Sequence, residues 1–125
     1  MGATILIVDD NVQLRAIMRG ITAQESDLHV VGEAEDGAEA IRLTRELQPD
    51  IVLLDLAMPR VNGLEALQQI KAERPATKVI IVTVHDEDAY RQEAAEGGAD
   101  AFLLKKTLVT VLWPTIQRLR GCIST

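Results

Sequence analysis

The chain has 125 residues, enough for one domain with a full hydrophobic core. A net charge of −6 argues against binding nucleic acid through its phosphates, and aromatic residues are nearly absent (Tyr90, Phe102 and Trp113). No apolar run is long enough to span a bilayer, no signal peptide is visible, and the single cysteine, Cys122, has no internal partner, so a reducing, cytoplasmic setting is expected.

Residues 4–8 (TILIV) read as a buried first strand, ended by Asp9, Asp10 and Asn11. A helix should follow, because Leu14, Ile17, Met18 and Ile21 recur at i, i+3, i+4 and i+7, with Asn11 as its N-cap. Residues 29–34 form a weaker, mixed strand suited to a sheet edge. Asp36 and Glu39 have capping-box spacing and open a second helix whose inner face is Ala40, Ile41, Thr44 and Leu47, closed by Pro49.

Residues 51–54 (IVLL) run straight into Asp55, and Pro59 follows. Such a continuous apolar run reads as a strand buried on both faces. A loop through Pro59 and Gly63 leads to a third helix carrying Leu64, Leu67 and Ile70 and stopped before Pro75. Residues 78–83 (KVIIVT) are another buried strand. The polar loop at residues 85–88 leads into a helix of small and polar residues over 87–96, which should be the most mobile helix because it has little apolar surface to hold it; Gly97 and Gly98 end it. Residues 101–104 (AFLL) are the last strand, and Lys105 and Lys106 follow. The segment 107–120 reads as helical in its second half, with a late start or a kink at Pro114.

Five alternations of strand and helix imply a parallel sheet covered on both faces. The three most apolar strands are the first, third and fourth. The order 2-1-3-4-5 buries those three and leaves the other two at the edges, which is the flavodoxin-like doubly wound (βα)5 arrangement. Its switch point lies between strands one and three, where Asp9, Asp10 and Asp55 should converge. Thr83 and Lys105 end the neighbouring strands on the same side. Three crowded carboxylates repel one another, so a cation must offset them: Lys105, or a hard divalent ion such as Mg²⁺ with its preference for oxygen ligands. A metal, a lysine and a carboxylate nucleophile together suit phosphoryl transfer, with an aspartyl phosphate as product.

These residues resemble the receiver domain of two-component response regulators. The likeness runs from about Ile5 to Lys105 and includes the Asp9-Asp10 pair, Asp55 in LLDLAMP, Gly63, Thr83, and Lys105 in GADAFLLK. The phrase VVGEAEDG at residues 30–37 is most similar to the NarL/FixJ-type subfamily, in which the receiver usually precedes a LuxR-type DNA-binding domain. The resemblance implies that residues 1–125 are a single receiver domain and not a conventional enzyme: Asp55 accepts phosphate from a sensor histidine kinase or a phosphotransfer protein, and self-dephosphorylation is slow. It further implies that Asp9, Asp10 and Asp55 hold Mg²⁺ with the Ala57 carbonyl, that Lys105 pairs with the phosphoryl group, and that Thr83 and then Phe102 move inward. A homodimer on phosphorylation, and an output domain outside this chain, are also implied.

Three positions depart from the common pattern. Val84 follows Thr83 where a small residue is frequent, and its bulk would narrow phosphate access. Lys106 stands where many receivers have a proline, which leaves the geometry of the preceding bond open. Pro114 sits in the last helix. Taken singly, Asp55 could be a helix cap, Thr83 a strand-end hydroxyl, Phe102, Tyr90 and Trp113 packing residues, and His29 and His85 solvated. Two alternative functions use the same fold logic. A haloacid-dehalogenase-like hydrolase would carry its nucleophile on the first strand in an Asp-x-Asp pattern, and a flavodoxin-like cofactor carrier would need an anion-cradling loop where Asp9 and Asp10 stand.

Overall fold

The computed structural model describes residues 2–56 and 62–123. Five parallel strands, β1 (Ala3–Val8), β2 (Leu28–Ala34), β3 (Ile51–Leu54), β4 (Lys78–Thr83) and β5 (Ala101–Leu104), form one sheet in the order β2-β1-β3-β4-β5. The helices between and after them are α1 (Val12–Ala23), α2 (Gly37–Leu47), α3 (Gly63–Glu73), α4 (Asp88–Glu96) and α5 (Leu108–Ile123). A short 3-10 turn, Lys105–Thr107, joins β5 to α5.

Alternation along the buried strands divides the core in two. Leu6, Val8, Val52, Leu54, Val79 and Ile81 face α2, α3 and α4. Ile5, Ile7, Ile51, Leu53, Ile80 and Val82 face Met18 of α1 and Leu108, Leu112, Ile116 and Leu119 of α5. A period of two sends successive side chains to opposite faces, so apolar runs are required wherever both faces are covered. The mixed strand β2 and the half-buried β5 are the edges, as expected from their composition.

Several local signals act as predicted. Asn11 Oδ1 accepts from the Gln13 and Leu14 amides, at 2.9 and 3.1 Å. Asp36 accepts from the Glu39 amide at 2.8 Å, while the Glu39 carboxylate reaches back one residue further than a capping box requires, to the Glu35 amide. Gly98, at φ +99°, supplies the left-handed residue after α4.

Other expectations are corrected. In α1 the buried stripe is Arg15, Met18 and Thr22, and Ile17 is 46% exposed. The buried face is centred between Arg15, Met18 and Thr22, with Leu14 and Ile21 partly buried at its edge, and Ile17 falls outside it. In α2, Leu47 is largely exposed and lies over Gly32 at the sheet edge. Gly63 is the first residue of α3 and not part of a loop. Helix α5 starts at Leu108 and runs through Pro114, so there is no late start. Proline removes a bond to the carbonyl of Thr110, but both residues are exposed and water can take its place. The four buried anchors of α5 hold it on either side. The Lys105–Lys106 bond is trans.

Candidate functional site

The carboxyl ends of β1 and β3 lie side by side. Chain direction after each strand is fixed by one further ladder bond: the Asp9 amide donates to the Ala34 carbonyl at 3.1 Å, and the Asp55 amide to the Val8 carbonyl at 3.0 Å. Both aspartates are therefore held just past their strands, at the switch point. Asp9 is 0% exposed and Asp55 4%. Asp10 is exposed on the same edge. One carboxylate oxygen from each of the three lies within 4.8 Å of the others.

Lys105 enters from the 3-10 turn after β5. Its Nζ is 2.9 Å from Asp9 Oδ2 and 3.3 Å from Asp55 Oδ2. Burial pulls the Lys105 pKa down, but Asp9 and Asp55 outweigh it and hold the ammonium above its ordinary value. Asp9 Oδ1 is taken by the Asn11 amide at 2.8 Å. Asp9 Oδ2 is fully buried, and its approach to Lys105 is an ion-pair contact without hydrogen-bond alignment. A buried, incompletely satisfied carboxylate oxygen beside two other carboxylates suits a hard cation, so the donor set fits Mg²⁺. Stability does not explain the arrangement, because a buried charge cluster is commonly no more stable than packed hydrophobes of the same volume.

Gly63 has a physical reason to be glycine. A Cβ there would lie 2.2 Å from the Asp55 carbonyl oxygen and 2.4 Å from Leu56 Cα. The first turn of α3 thus packs directly on the backbone that presents Asp55, and the Gly63 amide donates to the Leu56 carbonyl at 2.9 Å. Ala57, whose carbonyl was assigned to the metal, lies outside the described residues, as does Pro59.

Thr83 is buried at the end of β4, and its hydroxyl accepts from the His85 amide at 3.2 Å. It is thereby committed to the β4–α4 loop. Val84 projects outward and, with Asp86, Leu104, Lys105 and Lys106, lines a shallow depression beside the site. Phe102 is half-buried against the α2–α4 side of the core, with the Arg91 guanidinium 4.6 Å above its ring. Arg91 also donates to Asp86 at 2.8 Å and holds that carboxyl below its usual range. His85 stacks on Tyr90 with ring centroids 4.6 Å apart, so neither is simply solvated or simply packed. Trp113 packs on the α1–α5 side, and His29 is exposed.

Sequence reasoning missed Arg15 and Arg91. Arg15 is buried, and its Nη1 donates to the Asp9 carbonyl at 2.6 Å. The available signal was its position three residues before Met18 on the same helical stripe.

Asp55 follows the third strand, not the first, and is followed by Leu56 and Ala57, while Asp9 and Asp10 are contiguous, so the Asp-x-Asp hydrolase pattern is not met. The response regulator receiver domain family matches residues 5–117. The transcriptional regulatory protein YdfI of Bacillus subtilis is 43% identical over 90% of this chain and 53% of its own length. The chemotaxis protein CheY of Listeria monocytogenes is also 43% identical, over 81% of this chain and 84% of its own. Against YdfI, DegU and VraR, the chain spans about half the length of the relative. Among solved structures, a LuxR-family two-component response regulator from Aurantimonas superposes with a TM-score of 0.91 at 34% identity, covering 97% of this chain and 86% of that one. The response regulator domain of Thermotoga maritima CheB gives 0.89 at 33% identity, covering 100% and 98%. No described helix is long and apolar enough to cross a membrane. With the sheet order, the strand-end acidic cluster and a family match over most of its length in agreement, the chain belongs to the receiver domains of two-component response regulators, and its relatives include LuxR-type transcriptional regulators.

Proposed function

We propose that residues 1–125 act as one receiver unit in the cytoplasm and that Asp55 is its phosphoacceptor. The observation that carries this reading is Lys105 Nζ lying against both Asp9 Oδ2 and Asp55 Oδ2 at the switch point. An Asp55 carboxylate oxygen attacks the phosphorus of a phosphohistidine on a sensor kinase or phosphotransfer protein. The new O–P bond forms as the N–P bond breaks, and the departing imidazole takes up a proton from solvent. Lys105 stays charged and offsets the negative charge on the phosphoryl oxygens. Asp9, Asp10 and Asp55 would hold Mg²⁺, which supplies a Lewis acid for those same oxygens. Because Asp55 itself is modified, each chain turns over only as fast as water releases the phosphate.

Thr83 then turns from the His85 amide toward the phosphoryl group, drawing the loop inward, and Phe102 follows once Arg91 releases its ring. The altered α4–β5–α5 surface engages a second copy or a DNA-binding output domain. A small phosphodonor with Mg²⁺ should add a single phosphate, read by intact mass, which Asp55→Asn abolishes. A wild-type adduct mapped to Asp9, Asp10 or Thr83 would refute the assignment.

A further inference from the structure

We infer that Arg15 is a positioning residue for the acidic pair: its guanidinium holds the Asp9–Asp10 turn in the shape that receives a divalent cation. The inference rests on the reading of those carboxylates as Mg²⁺ ligands. Arginine is almost never buried without partners, yet Arg15 is only 9% exposed. Its Nη1 donates to the Asp9 carbonyl at 2.6 Å, its Nε to Glu33 Oε1 at 3.0 Å, and its Nη2 lies 3.8 Å from Glu35 Oε1.

The Asp9 carbonyl needs such a donor. The β1–β2 register ends at Val8 and Ala34, after which the chain turns away into α1. A buried carbonyl beyond the last ladder bond is costly unless it is satisfied. A planar fork reaches that carbonyl with one nitrogen while another stays on Glu33, whereas a lysine would have to share a single nitrogen between them. Glu33 is itself held by Arg19 from the next turn of α1, at 2.5 Å. The Asp9–Asp10 peptide is therefore tied on its carbonyl side by Arg15. The turn beyond it is tied by the Asn11 amide on Asp9 Oδ1. Asp10 is exposed, so the backbone sets its direction. Anchoring α1 to β2 would require only the Glu33 contact; the bond to the Asp9 carbonyl connects that anchor to the ligands.

The sign of the effect separates positioning from electrostatics. Removing a cation beside three carboxylates should, by Coulomb's law alone, tighten binding of a second cation. Loss of positioning should weaken it, by about tenfold or more, as for other partners that orient metal ligands. The test is the dissociation constant of Mg²⁺ alone, from the rise of melting temperature with its concentration, for wild type and Arg15→Met. The variant's melting temperature without Mg²⁺ reports any purely structural loss separately. Weakening of about tenfold is expected. A constant within about twofold of wild type, or a tighter one, overturns the inference. Should Arg15→Met not melt cooperatively, Arg15→Lys, which keeps the charge and loses the fork, is read in the same titration. It should weaken binding severalfold, and equality with wild type overturns the inference. A wild type that ignores Mg²⁺ removes the metal reading and this inference with it. A wild-type response that the variants share unchanged removes this inference alone.

Discussion

Gly63→Ala tests whether α3 sets the position of Asp55. At the first turn of an exposed helix, alanine for glycine should stabilise, by up to about 1 kcal/mol. Here the new Cβ would sit 2.2 Å from the Asp55 carbonyl oxygen and 2.4 Å from Leu56 Cα. Ordinary C···O contacts are about 3.3–3.6 Å, so something must move by about 1 Å. Both obstructing atoms are backbone, and neither can rotate away. If α3 moves, the buried Ala66, Leu67 and Ile70 are displaced from the core. If the strand end moves, the bonds from the Asp55 amide to Val8 and from the Gly63 amide to Leu56 are stretched. Overpacking of this kind costs about 1–3 kcal/mol. A misplacement of about 1 Å at a reacting group can slow chemistry by about 10²-fold. We expect a loss of about 2 kcal/mol in urea unfolding, and phosphorylation by a small phosphodonor slowed at least about tenfold in an intact-mass time course. A variant as stable as wild type and phosphorylated at the same rate would refute the steric argument.

Mg²⁺ should raise the melting temperature in proportion to its occupancy of the folded state, and Asp10→Asn should reduce that rise; no shift at millimolar Mg²⁺ counts against the site. Thr83→Ala should leave Asp55 able to take phosphate. Hydrogen-exchange changes induced by beryllium fluoride, which should concentrate between residues 85 and 104, should shrink in that variant; identical responses would remove Thr83 as the coupler. On α2 and α3, Arg45 makes two hydrogen bonds of 2.6 Å to Glu73. Those bonds, with a third from Gln69, hold Glu73 down to about 2 from an ordinary 4.5. The folded pKa is depressed, so the pair's small, salt-sensitive contribution is present above about pH 4.5 and is lost as pH falls toward 2. Carboxyl NMR should find Glu73 titrating near 2 in wild type and clearly higher in Arg45→Met, where only the Gln69 bond still lowers it. An unshifted Glu73 in wild type would show that the pair does not form in solution.

The sheet was legible in the sequence because burial on two faces leaves an unmistakable apolar run at residues 5–8, 51–54 and 79–82. The strand-end carboxylates were legible for the same reason: each polar residue stops such a run, so the strand order brings them together. Helix faces were less so. The stripe Leu14, Ile17, Met18, Ile21 fits a helix well, but periodicity ranks side chains by polarity and cannot see a guanidinium drawn inward by a backbone carbonyl. Gly63 was visible as part of a family pattern, whereas its reason, contact with the Asp55 backbone, is long-range packing. Pro114 was read by local propensity, and tertiary anchoring by Leu108, Leu112, Ile116 and Leu119 overrode it. The contact of Arg91 with Phe102 joins α4 to β5 and has no short-range signature.

The site joins a rigid half to a loosely held one. On the β1–β3 side, Asp9 is fixed through its amide, its carbonyl and its carboxylate, and α3 packs against the Asp55 backbone without room for a methyl group. On the β4–α4 side, Ala94 is the only buried residue of α4. Further ties there include the partly buried Tyr90 on the core, the stack of His85 on Tyr90, the Asp86–Arg91 pair and the Arg91 guanidinium over Phe102. Contacts of these kinds are each worth about 1 kcal/mol or less at exposed sites. Thr83 stands between the halves, buried in the sheet yet bonded to the loop at His85. Under the proposed function, a phosphoryl charge on Asp55 would therefore meet carboxylates that are held firmly and one hydroxyl whose loop is held loosely. A charge-assisted hydrogen bond from Thr83 to a phosphoryl oxygen, at about 1.5–3 kcal/mol, is large enough to outweigh one or two of those surface ties. Under the proposed function, that difference in rigidity would direct the response toward α4 and β5 and away from the acidic pair.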